Sequence, residues 1–566
     1  MLTSLTHAEA QSKKKKPRQS TPTAVLSERF EDGSTKEIPD FQKHVIPLLG
    51  KLGCNGRSCH GSFQGRGGFQ LSLFGYDFAA DHAAMMDESS GRIVLEDADE
   101  SLVLAKPLDG DLHEGGQRFK RGSWEHNVLK NWITAGATNN SPRPHTLKKL
   151  VVSPAEIQFE NKESQVDLRA YAHWNDGSVE DVSVLCRFSS NDDAIAAITD
   201  SGQVTSTGPG DTHIVVSYDN AVVPVPVIRP YSNHIVLNPK NFAHPIDRLV
   251  SEKLNKLGIE PSNLCTDSEY IRRVSLDITG ILPSSDSVSR FLSDTDPSKR
   301  ERFAEQLLQS SSYAAWWATR FSDWTGNSDE QLNNALPFRN VATRLWYEWL
   351  RARLEKNVPY DDIVEGIVTA QSRNPDESYL DYCRNMTEAC QPGNESQFAE
   401  RKGMPLFWAR RNFQSPEDRA IGFSYTFLGV RIECAQCHKH PFDQWSKDDF
   451  EQFAKLFSPI RTNQNLVASD ARKERDQLVS ELTGDKKVRG ADLRRILYAA
   501  AKDGKTVPFG ELMVNVRDLT DREKRARALA KKQGKTVKAP PIPTGRILGK
   551  PELISLNNDP RVLLMK

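Results

Sequence analysis

The sequence predicts a multidomain fold: an all-α domain, an all-β sandwich, then a mainly α-helical domain with a charged C-terminal extension. Length is the first reason. At 566 residues the chain exceeds what one core organises, since single domains cluster at roughly 100–150 residues. The second is a change of period. Apolar residues recur at spacings of three and four along most of the chain but at two between about 147 and 230, which is the switch from helix to strand. The third is that four of the eight cysteines fall into two clusters, each ending in Cys-His.

Residues 1–37 are Lys-rich, then Ser-, Thr- and Pro-rich, with no periodicity, and read as disordered. The triplet Ala8-Glu9-Ala10, ahead of a lysine run, is similar to the tail of a secretory signal at its cleavage site, so a start further upstream is expected. Residues 38–140 are helical at both ends around a Gly-rich middle, and Trp124, Val128, Leu129, Trp132 and Ile133 make one apolar helix face. In residues 147–230, Val166, Leu168 and Ala170 alternate with polar residues, as do Ile214, Val216 and Tyr218. Turn signals at Asn175-Asp176-Gly177 and Asp200-Ser201-Gly202 punctuate what reads as a small antiparallel sandwich. Residues 240–460 are mostly helical; one helix, IDRLVSEKLNKLG, stops at Gly258, and another helical stretch is KRERFAEQLLQSSSYAAWWATRFSDW. Residues 461–566 form a charged helical extension with a Pro-rich link at 539–543. The closing PRVLLMK stops inside an apolar run, so a further C-terminal domain of the same protein is expected.

Lys plus Arg and Asp plus Glu both number 75, and that balance argues against a general nucleic-acid binder. No apolar run approaches the roughly 18–20 residues that span a bilayer, so no transmembrane segment is predicted. No Walker A loop, G-x-S-x-G elbow or H-E-x-x-H helix occurs, and the basic run at 524–538 is balanced by acidic neighbours.

The two Cys-His clusters carry the chemistry. Cys434-Ala435-Gln436-Cys437-His438 is the C-x-x-C-H pattern of c-type haem attachment. Two thiols reach the two vinyl groups on one porphyrin edge, and the next residue presents an imidazole to the iron. On a helical turn Cys434, Cys437 and His438 share one face. A zinc half-site would need further ligands at matching spacing, and a redox dithiol would need a βαβ setting; both stay open. Cys54-Asn55-Gly56-Arg57-Ser58-Cys59-His60 is a C-x4-C-H variant whose extra residues must bulge, for which Gly56 is suited. Cys383 and Cys390 are a candidate disulfide in an oxidising compartment, while Cys186 and Cys265 suit buried apolar positions. Arg272, Arg273 and Asp277 read as an internal ion-pair network.

The first cluster is followed by SLVLAKPLDGDLHEGG and a helix ending Trp132-Ile133-Thr134-Ala135-Gly136-Ala137. With that order, Phe41–Ala137 resembles the planctomycete-type cytochrome c domain. Residues 147–230 resemble bacterial immunoglobulin-like domains of group 2 through HWNDGSVEDVS and FSSNDDAIAAITDSGQVTSTGPGDTHIVVSY. The helical region resembles uncharacterised domains of the same planctomycete families through HPIDRLVSEKLNKLGIEPS, IRRVSLDITGILPS, LLQSSSYAAWWATRFSDW and FLGVRIECAQCHKHPFDQWSKDDFEQFAKLF. In all, the resemblance covers about 45–460.

It implies two covalent haem c groups, one on Cys54 and Cys59 with His60 on the iron, the other on Cys434 and Cys437 with His438. Related cytochromes supply a sixth ligand from a Met-Pro-Pro-Gly loop, and His113 stands in that place here, implying a His60–His113 pair; His82 and His126 are the other local candidates. The second iron has only Met386, Met404 and Met513 as conceivable sixth ligands, or is five-coordinate. Asp443 and Trp445 stand where they could orient His438. The resemblance further implies export to the periplasm or beyond, redox partner proteins, and electron transfer. A haem-dependent oxidoreductase of the peroxidase or dehydrogenase kind, and a haem-free structural or adhesion protein with disulfide or metal clusters, are the rival readings.

Overall fold

A computed structural model describes residues 22–62, 64–139, 147–219, 221–232, 238–239, 242–333, 335–338, 340–436, 445–484, 488–514, 525, 528–530, 532–533, 544–556 and 558–565. Two compact units are present, one running to Ser262 and the other beginning at Asn263.

In the first unit, short helices precede small sheets. The helices are α1 (Leu26–Arg29), α2 (Ile46–Lys51), α3 (Phe78–Met85), α4 (Leu102–Leu108) and α5 (Trp124–Thr134). The predicted face of α5 is realised: Val128, Leu129, Trp132 and Ile133 are fully buried, and only Trp124 stays part-exposed. Phe41 stacks on Trp132 with ring centroids 5.3 Å apart, closing the first helical segment against the last.

The strands are β1 (Leu147–Ser153), β2 (Ile157–Gln158), β3 (Gln165–Asp167), β4 (Arg169–Trp174), β5 (Val179–Asp181), β6 (Arg187–Ser190), β7 (Ala196–Ile198), β8 (Gln203–Ser206), β9 (Gly210–Tyr218) and β10 (Ala221–Arg229). They form three sheets in the orders β1-β4-β5, β2-β10-β9-β6 and β3-β8-β7. All pairings are antiparallel except the two-residue β2–β10 contact. Period-two patterning works as expected: Leu168, Ala170, Ala172 and Trp174 point inward, as do Ile214, Val216 and Tyr218. Helix α6 (Pro245–Leu257) ends at Gly258 in the left-handed conformation, as a glycine stop requires.

Residues 22–37 depart from the disorder that their composition predicts. Val25, Leu26 and Phe30 are buried, and the Thr23 backbone donates to Val179 O (2.9 Å) and accepts from Asp181 N (3.2 Å). Three apolar side chains in six residues anchor a segment whose average composition is polar. The N-terminal helices and the β-rich region also share one continuous apolar cluster.

A buried carboxylate joins them. Glu180 of β5 is bonded by Arg29 of α1 and by His44, whose Nε2 lies 2.8 Å away. The Asp40 N–H donates to His44 Nδ1 at 2.9 Å, so the His44 proton sits on Nε2 and is donated to Glu180. Burial pushes the Glu180 carboxyl up, but the His44 bond and the Arg29 charge outweigh it and hold it below its ordinary 4.5.

The second unit is helical. Helices α7 (Asp267–Thr279), α8 (Ser285–Ser293), α9 (Lys299–Leu308) and α10 (Ser311–Thr325) lead into α11 (Asp329–Leu332), α12 (Ala342–Glu355), α13 (Tyr360–Val368) and α14 (Tyr379–Ala389). The stretch from Lys299 to Trp324 breaks into two helices because Ser310 caps the second, its side chain accepting from Tyr313 N. Trp346, Trp349, Phe407 and Trp408 fill the core. Charged helices follow at Arg472–Thr483 and Gly490–Lys502, while the Pro-rich link at 539–543 lies outside the described residues.

Because the folded Glu180 value is depressed, its stabilising share is present above about pH 4.5 and is lost as pH falls through the folded value. Glu180→Gln should therefore cost about 2 kcal/mol at pH 7. In urea melts followed by tryptophan emission, that deficit should shrink toward zero on acidification below pH 4.5; a deficit independent of pH would contradict the assignment.

Candidate functional site

The first Cys-His cluster follows α2 and curls into nested turns rather than a regular helix. Cys54 N donates to Leu49 O (2.8 Å), Cys59 N to Gly56 O (3.0 Å), and His60 N back to Cys54 O (2.9 Å). The extra residues of the C-x4-C-H spacing are thus absorbed in a closed loop that returns His60 beside Cys54. Both thiols are free and partly buried. Burial pushes Cys54 up to about 11, with Arg118 opposing and Cys59 adding to the rise.

His60 is oriented by a four-residue hairpin, Arg66-Gly67-Gly68-Phe69. Arg66 and Phe69 exchange both backbone bonds at 3.0 Å, and Gly67 and Gly68 both have positive φ (58° and 68°), as a type I′ turn demands. His60 Nδ1 lies 3.1 Å from Phe69 O and 3.2 Å from Arg66 O. Two carbonyls accept only, so Nδ1 carries the proton and Nε2 is left with a lone pair. Burial lowers the His60 pKa, the two carbonyl bonds oppose this, and His113 and Arg92 add to the lowering.

His113 arrives from the loop after α4. Its Nδ1 lies 2.9 Å from Gly116 O, which again places the proton on Nδ1 and frees Nε2. The His60 and His113 rings are nearly parallel, 15° apart in plane, with centroids 6.5 Å apart. A Cβ on Gly115 would stand 2.7 Å from His113 Cε1, so only glycine lets the ring lie there. Arg66 and Glu114 pair at 4.0 Å across the two loops, an exposed contact of small energetic weight.

Two histidines with near-parallel rings 6.5 Å apart are a donor set of the kind that holds one metal between imidazoles. Two metal–nitrogen bonds of about 2 Å each, plus the half-widths of two rings, span roughly 6 Å. Both Nδ1 protons are fixed on carbonyls, the usual arrangement for ligating histidines. Among the described residues no three His, Cys, Asp or Glu side chains form a group that could hold a metal ion.

His82 and His126 are placed elsewhere. His82 Nε2 donates to Ala137 O at 2.7 Å and the ring packs edge-on against Phe41. His126 is buried on α5 with Nε2 3.9 Å from Asp99. Phe69, Arg92 and Gly115 are site residues that sequence reasoning missed; the Gly67-Gly68 pair was the visible sign of the first.

Of the second cluster, Cys434 is exposed on a short 3-10 helix, Glu433–Gln436; Cys437, His438 and Asp443 lie outside the described residues. Met386 and Met404 are core side chains. Trp445 packs against that core, and its indole N–H has no partner among the described residues. Three further expectations change. Cys383 and Cys390, seven positions apart along α14 and its cap, are free buried thiols rather than a disulfide. Arg272, Arg273 and Asp277 are exposed and make no ion pair among the described residues, because α7 turns that face to solvent. Cys186 is buried as expected, whereas Cys265 is only partly so.

Residues 245–462 match the family model of PSCyt2, a protein of unknown function (DUF1549) and a planctomycete cytochrome-like domain. That span contains the second Cys-His cluster and not the first. No curated protein matches the chain. No helix among the described residues is long and apolar enough to cross a membrane.

Gly115→Ala should push the His113 ring aside and abolish nuclear Overhauser contacts between the His60 and His113 rings. The cost to folding should stay near about 1 kcal/mol. Retained ring contacts would show that the loop has room for a methyl group.

Proposed function

We propose that the protein is an exported c-type cytochrome-like electron carrier, with haem c held by Cys54, Cys59, His60 and His113 and a second haem c by Cys434, Cys437 and His438. The carrying observation is the pair of near-parallel imidazoles 6.5 Å apart, each with Nδ1 on a backbone carbonyl, with two free thiols in the same motif. When bound, haem supplies reversible one-electron chemistry at iron.

The chain's own residues do the rest. Cys54 and Cys59 would tether the group through thioethers, the free thiols adding to its vinyl groups. His60 and His113 present Nε2 lone pairs, and the carbonyls on Nδ1 make both imidazoles more basic. A stronger nitrogen donor pair favours the ferric state, so the potential lies lower than with a thioether ligand. The β-rich region is read as an immunoglobulin-like spacer, and the compartment as the periplasm or cell exterior, where maturation and redox partners would be met.

Made full-length in a host competent for c-type maturation, the protein should carry two haem adducts by mass spectrometry that survive acid–acetone extraction. Cys434→Ala or Cys54→Ala should each remove one adduct and leave the other. An unmodified mass with bound zinc would favour the haem-free reading instead.

His113→Met should raise the potential of the first haem and introduce the long-wavelength charge-transfer band of Met-ligated ferric iron. If His113→Ala leaves both the low-spin spectrum and the potential unchanged, the sixth ligand is another residue.

A further inference from the structure

Arg92 occupies a place at the His60 site that its sequence position does not suggest. Its guanidinium Nη2 donates to Gly68 O at 2.7 Å, and its Cζ stands 4.6 Å over the Phe69 ring. That ring in turn lies 4.8 Å from the His60 ring. Arg92 therefore grips the hairpin at two points, the carbonyl of its second glycine and the face of its last side chain. The backbone of Arg92 is itself fixed: Arg92 O accepts from Val103 N (3.2 Å) and Gly91 O from Leu102 N (3.1 Å). Both donors open α4, whose Pro107 O accepts from Arg118 N at 2.8 Å across the loop that carries His113. The hairpin that orients one imidazole is thus tied to the helix that delivers the other.

The turn is closed by its own two backbone bonds, and Leu71 N donates to His60 O at 2.8 Å just beyond it; Arg92 adds a side-chain hold on its tip. Gly67 has no neighbour against which a side chain would pack, and a two-glycine turn is the most pliable way to join two residues. The two carbonyls that meet His60 Nδ1 belong to the residues closing this turn, so whatever stiffens the glycine tip also steadies the bonds to His60. We propose that Arg92 is a positioning residue for the His60 centre, locking the Arg66–Phe69 hairpin so that the Phe69 carbonyl keeps His60 in its Nδ1–H form and leaves the lone pair on Nε2. This rests on the haem reading above for its redox consequence, and on the fold alone for the locking.

The sign of the redox effect separates positioning from charge. A slackened Nδ1–H···O bond makes the imidazole a weaker donor and raises the potential. Loss of a nearby cation acts the other way, since positive charge favours the reduced iron. Lysine keeps the charge but cannot reproduce the planar fork and stack.

The test uses the full-length protein with and without haem. In the haem-free protein, amide exchange at Arg66 and Phe69 should speed up about tenfold in both Arg92→Lys and Arg92→Ala, with α5 amides unchanged. In the haem-loaded protein, Arg92→Lys should raise the ferrous-to-ferric ratio at fixed potential about threefold and leave the number of adducts unchanged. Unchanged exchange in both variants overturns the proposal whether or not haem is bound. A potential that falls in Arg92→Gln while Arg92→Lys matches the parent also overturns it, showing a charge effect only. A parent protein that takes no haem at Cys54 and Cys59 sinks the functional reading, and the exchange measurement then decides the locking on its own.

Discussion

A carboxylate buried to the extent of Glu180 must be answered by donors or cations, because an unpaired buried charge costs several kcal/mol. Arg29 and His44 answer it, and both precede the first Cys-His cluster in sequence. The requirement fixes the approach of the chain: α1 must lie against β5, the turn Phe41–Val45 must present His44 inward, and α2 must start where that turn ends. Leu49 at the far side of α2 then receives the Cys54 N–H. The position of the thiols is thereby inherited from a sheet more than a hundred residues downstream. This dependence also explains why the helices and the β-rich region bury one apolar cluster in common.

The coarse architecture was legible because it rests on period. A helix face such as Val128-Leu129-Trp132-Ile133 and an alternation such as Ile214-Val216-Tyr218 state their burial directly. What stayed illegible were features set by partners distant in sequence. Average composition hid Val25, Leu26 and Phe30, whose burial needs α5 and the sheet. The Ser310 cap interrupts a run whose helical periodicity looks continuous. Arg272, Arg273 and Asp277 share a helix with the spacing of an ion-pair network, yet spacing does not reveal whether that face meets another element.

The candidate site was legible in its motif residues and not in what surrounds them. Cys54, Cys59 and His60 declare themselves by adjacency, and His113 came from a resemblance in layout; the structure places its ring parallel to that of His60. The supports could not be read in this way. Gly115 matters because of one ring beneath it, and Arg92 because of a carbonyl 24 residues away; neither belongs to a motif. Such groups act through geometry that only the closed loop creates, which is why motif residues are easier to find in a sequence than the residues that orient them.

The Thr23 pairing bears on how the molecule behaves among its own copies. β5 is the outer strand of the β1-β4-β5 sheet, and Thr23 occupies its open side through two backbone bonds. An uncovered strand margin offers free N–H and C=O groups to any neighbouring chain, and is a common start for edge-to-edge association. By lying there, a short polar segment serves as a guard rail. A processing cut on the far side of Thr23 would leave a monomer whose sheet margin is sticky, whereas a cut before it would leave the margin sealed.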